Sequence, residues 1–225
     1  MGIRPIRFAS AVIGALAVLS ASPIAAGPKE IPPPQGKGRV VVVSSGASGP
    51  DHYETVSRAI AALGYDVVLF DGNAMEGTKG AALKEAIPQA LGMPHALPGK
   101  VALVGFSLGG GISLGYGPMW PEQVAVVIAW YPATSVFKDI PGFASRLQVP
   151  VLMFAGESDT YKDCCLIATA RTISAAAAAA GKPFDLFTYP KTDHDFVQGG
   201  SHYNPAAYKD AFDKTAAKLK EFLGS

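Results

Sequence analysis

From Arg39 onward, short apolar runs rich in β-branched residues alternate with helix-like stretches, and this alternation constrains the fold more than any other feature. The runs lie at 40–43, 67–70, 101–104, 124–129 and 149–154, with a weaker one at 185–189. Each is nearly continuous rather than polar at every second position, the signature of strands covered on both faces, as in a parallel sheet. Between them, Tyr53, Val56, Ile60 and Leu63 share one helical face behind a possible Asp51 cap, and Gly64 stops that segment. Residues 79–91 read as a second helix that Pro88 should break or kink. Residues 162–180 read as a third, closed by Gly181, and Asn204-Pro205 opens a last one. The stretch 132–148 carries no clear period. Strand and helix alternating through one domain predict a doubly wound α/β fold, with about six mostly parallel strands and helices on both faces.

The chain begins differently. Arg4 and Arg7 precede an apolar stretch from Ala9 to Leu19, and small residues follow to Ala26. This three-part pattern is that of a secretory signal peptide, too short in its apolar part for a stable membrane anchor. Residues 27–38, with four prolines, read as an extended linker, leaving 39–225 as the folded domain. The chain is therefore expected to be exported, periplasmic or secreted, with no stable membrane anchor after cleavage. A formal net charge of +1 offers no footprint for nucleic acid. Cys164 and Cys165 are adjacent. With no histidine or further cysteine nearby in sequence they predict no metal site, and they read as buried thiols or, less simply, a vicinal disulfide.

The chemistry gathers after three of the strand runs. Gly105-Phe106-Ser107-Leu108-Gly109 places a G-x-S-x-G pattern between a strand and a helix. A serine on so tight a turn projects its hydroxyl clear of the sheet, and glycines on either side remove side chains that would clash. By itself the pattern is short enough to arise by chance; its place after the third parallel strand gives it weight. A serine needs a base, and the base an orienting acid. Of four histidines, His194 follows the last strand run, and Asp159 follows the 149–154 run, with Glu157 its nearest substitute. Ser107, Asp159 and His194 are the expected nucleophile, acid and base. The amides of Leu108 and of Gly46 or Ala47, in the glycine-rich loop after the first run, are the expected oxyanion donors. His52, Tyr131, Tyr161 and His202 are possible substrate contacts; Trp130 reads equally well as core.

Together these residues resemble the dienelactone hydrolase branch of the α/β-hydrolases over most of 39–223. The resemblance rests on the 105–110 elbow, on Gly156, Glu157, Ser158 and Asp159, and on Tyr189-Pro190 leading to His194 and Phe196. It implies the same three residues, Ser107, Asp159 and His194. The six runs fill the domain after the linker, and no insertion between them is long enough for a lid domain, so a minimal fold is expected. Two features depart from the family pattern: Ser107 stands where a cysteine is usual, and the glutamate usual after the first strand is missing near Ser44-Ser45-Gly46. A lactone substrate is therefore not implied. The expectation is a serine hydrolase cleaving carboxylic esters with small or protruding acyl groups, acting on a small-molecule substrate with neither metal nor organic cofactor. An amidase, peptidase or acyltransferase would use the same three residues, and a non-catalytic binding module would keep the fold alone.

Overall fold

The computed structural model describes residues 27–224, so the signal-peptide reading of 1–26 lies outside the described residues. Seven strands form one sheet: β1 (Lys29–Ile31), β2 (Gly38–Ser44), β3 (Asp66–Phe70), β4 (Ala96–Phe106), β5 (Val124–Trp130), β6 (Val151–Gly156) and β7 (Phe184–Tyr189). Their order across the sheet is β1-β3-β2-β4-β5-β6-β7. The six strands read from the sequence are all parallel, while β1 adds an antiparallel edge on β3 through Glu30 opposite Val68. The stretch read as a linker thus contributes a seventh strand. Three residues between prolines are too few to show a period, and only the free edge of β3 makes them a strand.

The helices are α1 (Glu54–Ala61), α2 (Gly72–Met75), α3 (Ala81–Leu91), α4 (Ser107–Tyr116), α5 (Ile140–Ser145), α6 (Ile167–Ala179) and α7 (Pro205–Leu223). They bury two cores, one on each face of the sheet. Within β2, Val41 and Val43 join a cluster with Val56 and Ile60 of α1 and Leu219 of α7. Val40 and Val42 join the opposite cluster with Leu83 and Ile87 of α3, Phe143 of α5 and Ile173 of α6. This two-sided burial explains why the strand sequences are apolar without interruption.

Several boundaries differ from those the sequence suggests. Pro88 does not break α3, because it lies on the exposed face with Lys84, whose carbonyl loses its helical donor but remains open to water. A 3-10 turn over Pro50–Tyr53 precedes α1, so Asp51 sits inside that turn and does not cap the helix. The third helix starts at Ile167, five residues later than expected, because Lys162 and Asp163 take positive φ angles of 47° and 53° and Cys164 is bridged to Cys165. The reading as buried thiols gives way to a vicinal disulfide, which the adjacent spacing alone could not decide. The unassigned 132–148 stretch contains α5, capped by the Asp139 side chain on the amide of Gly142.

Candidate active site

The elbow between β4 and α4 is built by close backbone packing. Ser107 adopts a left-handed φ of 51°, a conformation costly for a residue with a side chain and sustained here by its surroundings. A Cβ on Gly105 would lie 2.4 Å from the carbonyl oxygen of Gly109, and one on Gly109 would lie 2.3 Å and 2.4 Å from those of Ser44 and Ser45. No side chain fits at either position, and the Gly109 amide donates to the Ser45 carbonyl at 3.1 Å, fixing the turn to the end of β2.

Three strand ends meet at this turn. The Ser107 hydroxyl donates to His194 Nε2 at 2.9 Å, and His194 Nδ1 donates to Asp159 Oδ2 at 2.7 Å. An ionised carboxylate only accepts, which places the imidazole proton on Nδ1 and leaves Nε2 as the acceptor. All three residues are buried, with Ser107 7% exposed at the mouth. Asp159 Oδ1 accepts the Tyr161 amide at 3.1 Å, so the carboxylate is held from both oxygens. Glu157 takes no part: its carboxylate is occupied by Arg171 and the Thr188 hydroxyl.

Beneath the site the strand ends are joined by aromatic contacts. Phe106, the residue before the serine, stacks on Tyr53 at 4.8 Å and meets Trp130 at 5.7 Å; Trp130 in turn meets Phe154 at 4.9 Å and Phe196 at 5.6 Å. β4, β5, β6 and the loop carrying His194 are thereby registered on one cluster, a condition for holding reacting groups to a fraction of an ångström. Trp130 is fully buried and belongs to this core, not to a pocket wall.

The remaining expected site residues fall into two groups. Tyr161 stacks on the His194 ring at 4.7 Å with an interplanar angle of 8°, and Gly46 lies against the serine, since a Cβ on it would come within 3.0 Å of Ser107 Cβ. Leu108 is the second residue of α4, so its amide has no carbonyl partner within the helix. Ala47 is placed by its carbonyl, which accepts from Asn73 Nδ2 at 3.3 Å. The other three are displaced from the substrate side. Tyr131 is 1% exposed and packs edge-on behind His194 at 4.8 Å. His52 donates to the Asp195 carboxylate at 2.9 Å, and His202 is exposed, 3.8 Å from Asp193.

No motif in the sequence singles out Asp195, which directly follows His194. In the structure its carboxylate accepts from His52, from the Tyr131 hydroxyl at 3.3 Å, and from the amide and hydroxyl of Ser201 at 2.8 Å and 3.1 Å. Burial raises the Tyr131 phenol well above its ordinary range, helped by Tyr53 and Asp195, so it stays protonated and donates. Burial likewise raises Tyr53. This network pins the backbone directly after the histidine.

A cleft of about 400 Å³ opens beside Leu108. Ile112 and Tyr116 of α4 form one wall, Phe137 and Phe143 from the segment around α5 form the other, and Lys79, Lys138 and Arg146 stand among its polar lining residues. The stretch that carried no sequence period therefore supplies half of the cleft.

A parallel sheet with a serine on its central strand elbow, an acid after β6 and a histidine after β7 defines an α/β-hydrolase. The family model for the dienelactone hydrolase family matches residues 72–223, and the chain belongs to that family. A curated Azospirillum brasilense protein, provisionally named as a carboxymethylenebutenolidase, is 34% identical over 84 residues, a match spanning 37% of this chain and 35% of that one. Among solved structures, a protein of Klebsiella pneumoniae provisionally named a dienelactone hydrolase superposes with a TM-score of 0.73 at 21% identity, covering 86% of this chain and 92% of the other. Esterase 2 of Thermogutta terrifontis, phosphonylated by sarin, gives 0.68 at 16% identity, covering 87% and 90%. The fold and the hydrolase family follow from these likenesses.

Proposed function

We propose that this hydrolase cleaves carboxylic esters through an acyl-enzyme formed on Ser107. The observation that carries the reading is the hydrogen-bonded chain from Ser107 through His194 to Asp159, set on a strained elbow beside the first-turn amide of Leu108. As Ser107 Oγ attacks the ester carbonyl, His194 Nε2 takes its proton and Asp159 stabilises the imidazolium that forms. The carbonyl oxygen gathers negative charge and is received by the amides of Leu108 and Gly46, with the N-terminal end of α4 adding a favourable field. His194 then returns the proton to the leaving alcohol. Water, activated by the same ring, releases the acid and restores the serine hydroxyl.

The cleft beside Leu108 would receive the apolar part of the substrate, so small esters and those with a protruding acyl or alcohol group are the proposed class. Export is proposed from the first 26 residues, and sequencing the N-terminus of the matured protein tests it. A fluorophosphonate probe with mass-spectrometric mapping tests the nucleophile. The expected result is labelling at Ser107 alone, with turnover of short p-nitrophenyl esters abolished in Ser107→Ala. Undiminished turnover in that variant, or labelling elsewhere, refutes the assignment. The choice of probe is supported by the phosphonylated state of the Thermogutta esterase.

A further inference from the structure

The loop between β6 and α6 brings its two cysteines to the base. The sulfurs of Cys164 and Cys165 and a ring nitrogen of His194 all lie within 4.8 Å of one another. Cys165 is buried and Cys164 half-buried, and the two sulfurs are bridged. What holds this segment in place does not involve sulfur. The Cys164 carbonyl accepts the amides of Thr134 at 2.7 Å and Ser135 at 2.9 Å, the Cys164 amide donates to the Tyr161 carbonyl at 3.0 Å, and the Tyr161 ring lies flat on His194. Opening the bridge therefore leaves both cysteines beside the imidazole.

We propose that Cys164, Cys165 and His194 form a redox-gated site for a zinc-like divalent cation, and that filling it withdraws His194 from catalysis. The second part rests on the reading of His194 as the base. In the bridged state both sulfurs are spent and no thiolate is available. A dithiol reductant delivers two electrons and two protons to the bridge, giving two thiols, and is itself oxidised to a disulfide. Two thiolates and an imidazole are a donor set that zinc prefers, with bonds of about 2.3 Å to sulfur and about 2.0 Å to nitrogen. A tetrahedral centre with those bonds separates its ligand atoms by roughly 3.3–3.8 Å, within reach of small side-chain rotations from the observed spacing. Binding releases the two thiol protons. A water completes the coordination. The metal and the serine proton compete for the imidazole: coordination through Nε2 removes the acceptor for Ser107, and coordination through Nδ1 displaces Asp159. The bridged chain is the active form, and the reduced, metal-loaded chain is the silent one. A disulfide oxidant, accepting the two electrons as the metal leaves, reverses the switch.

The chain contains only two cysteines, which makes the test specific. The full chain is reduced with a dithiol, desalted without oxygen and titrated with cobalt and with zinc alone, while ester turnover is followed in parallel. Expected are one metal per reduced chain, a thiolate-to-cobalt charge-transfer band, and at least about a tenfold loss of turnover that a chelator or reoxidation restores. The bridged chain should show neither band nor inhibition. His194→Ala, which keeps both thiols, should bind cobalt at least about tenfold more weakly. The pair Cys164→Ser with Cys165→Ser should lose the band and any zinc sensitivity of turnover. Absence of the band in the reduced protein, or zinc inhibition as strong in the bridged or doubly substituted chain as in the reduced one, overturns the site. Metal binding as described in a chain that turns over no ester under any condition leaves the site standing and refutes the catalytic reading instead.

Discussion

Replacing Asp195 by alanine isolates the contribution of a network that the sequence does not advertise. The carboxylate accepts from four donors, the closest being the Ser201 amide at 2.8 Å and His52 Nε2 at 2.9 Å. The donor that suffers most is the Tyr131 hydroxyl, because that residue is fully enclosed and water cannot replace the lost acceptor. A buried donor left without a partner costs about 1–3 kcal/mol. Hydrogen bonds to a charged group contribute about 1.5–3 kcal/mol each when buried, but His52 is half-buried and Ser201 exposed, so both regain water and together lose only about 1 kcal/mol net. Asp195 also has a φ of 59°, where aspartate is tolerated better than alanine, adding roughly 1 kcal/mol. The total is about 4 kcal/mol. At about 2–4 °C per kcal/mol for a chain of this size, the melting temperature should fall by roughly 8–16 °C. Catalysis should suffer too, because Asp195 follows His194 directly and anchors the tyrosine packed against its ring; a misplacement near 1 Å costs about a hundredfold. Calorimetry and ester kinetics on the same preparation provide both readouts. Asp195→Asn, which tolerates the left-handed backbone and keeps an acceptor for Tyr131, should lose less than half as much in each. A melting temperature within about 2 °C of the parent, with kcat/KM within twofold, would show that the network positions nothing.

Two further outcomes follow from single sites. Gly109→Ala places a Cβ against two backbone carbonyls that cannot yield, so it should destabilise the chain by about 1–3 kcal/mol in denaturant titration and reduce kcat more than it raises KM; unchanged kcat would contradict the elbow packing. Asp66 is buried with both carboxylate oxygens unpartnered, and burial, reinforced by Glu30 and opposed by His95, pushes it up to about 6. Since its folded value lies above the unfolded one, the native state holds the extra proton between about pH 4 and 6, and stability falls as pH rises through that window before levelling off. Asp66→Asn should remove that decline and gain about 1–2 kcal/mol at pH 8 relative to the parent, after allowing for solvent screening. An unchanged pH profile of unfolding would place the cost elsewhere.

The layout of strands and helices was largely written in local pattern. Buried parallel strands declare themselves by unbroken apolar runs, and the glycines flanking Ser107 declare a turn that excludes side chains. The placing of Ser107, Asp159 and His194 after β4, β6 and β7 followed from the same pattern, because a parallel sheet delivers the C-terminal ends of its strands to one edge. That edge is where the structure brings the three together. What needed the tertiary structure were the contacts whose partners are distant in sequence. Lys29–Ile31 became a strand only because β3 had a free edge. Pro88 stayed within a helix because it faces solvent there. Tyr131, with the pattern of a pocket residue, was drawn behind the histidine by the Asp195 carboxylate, 64 residues away. The two adjacent cysteines gained a neighbour in His194 through the folding of separate loops. Periodicity reports which face a residue buries; which atom it then meets depends on how the faces close.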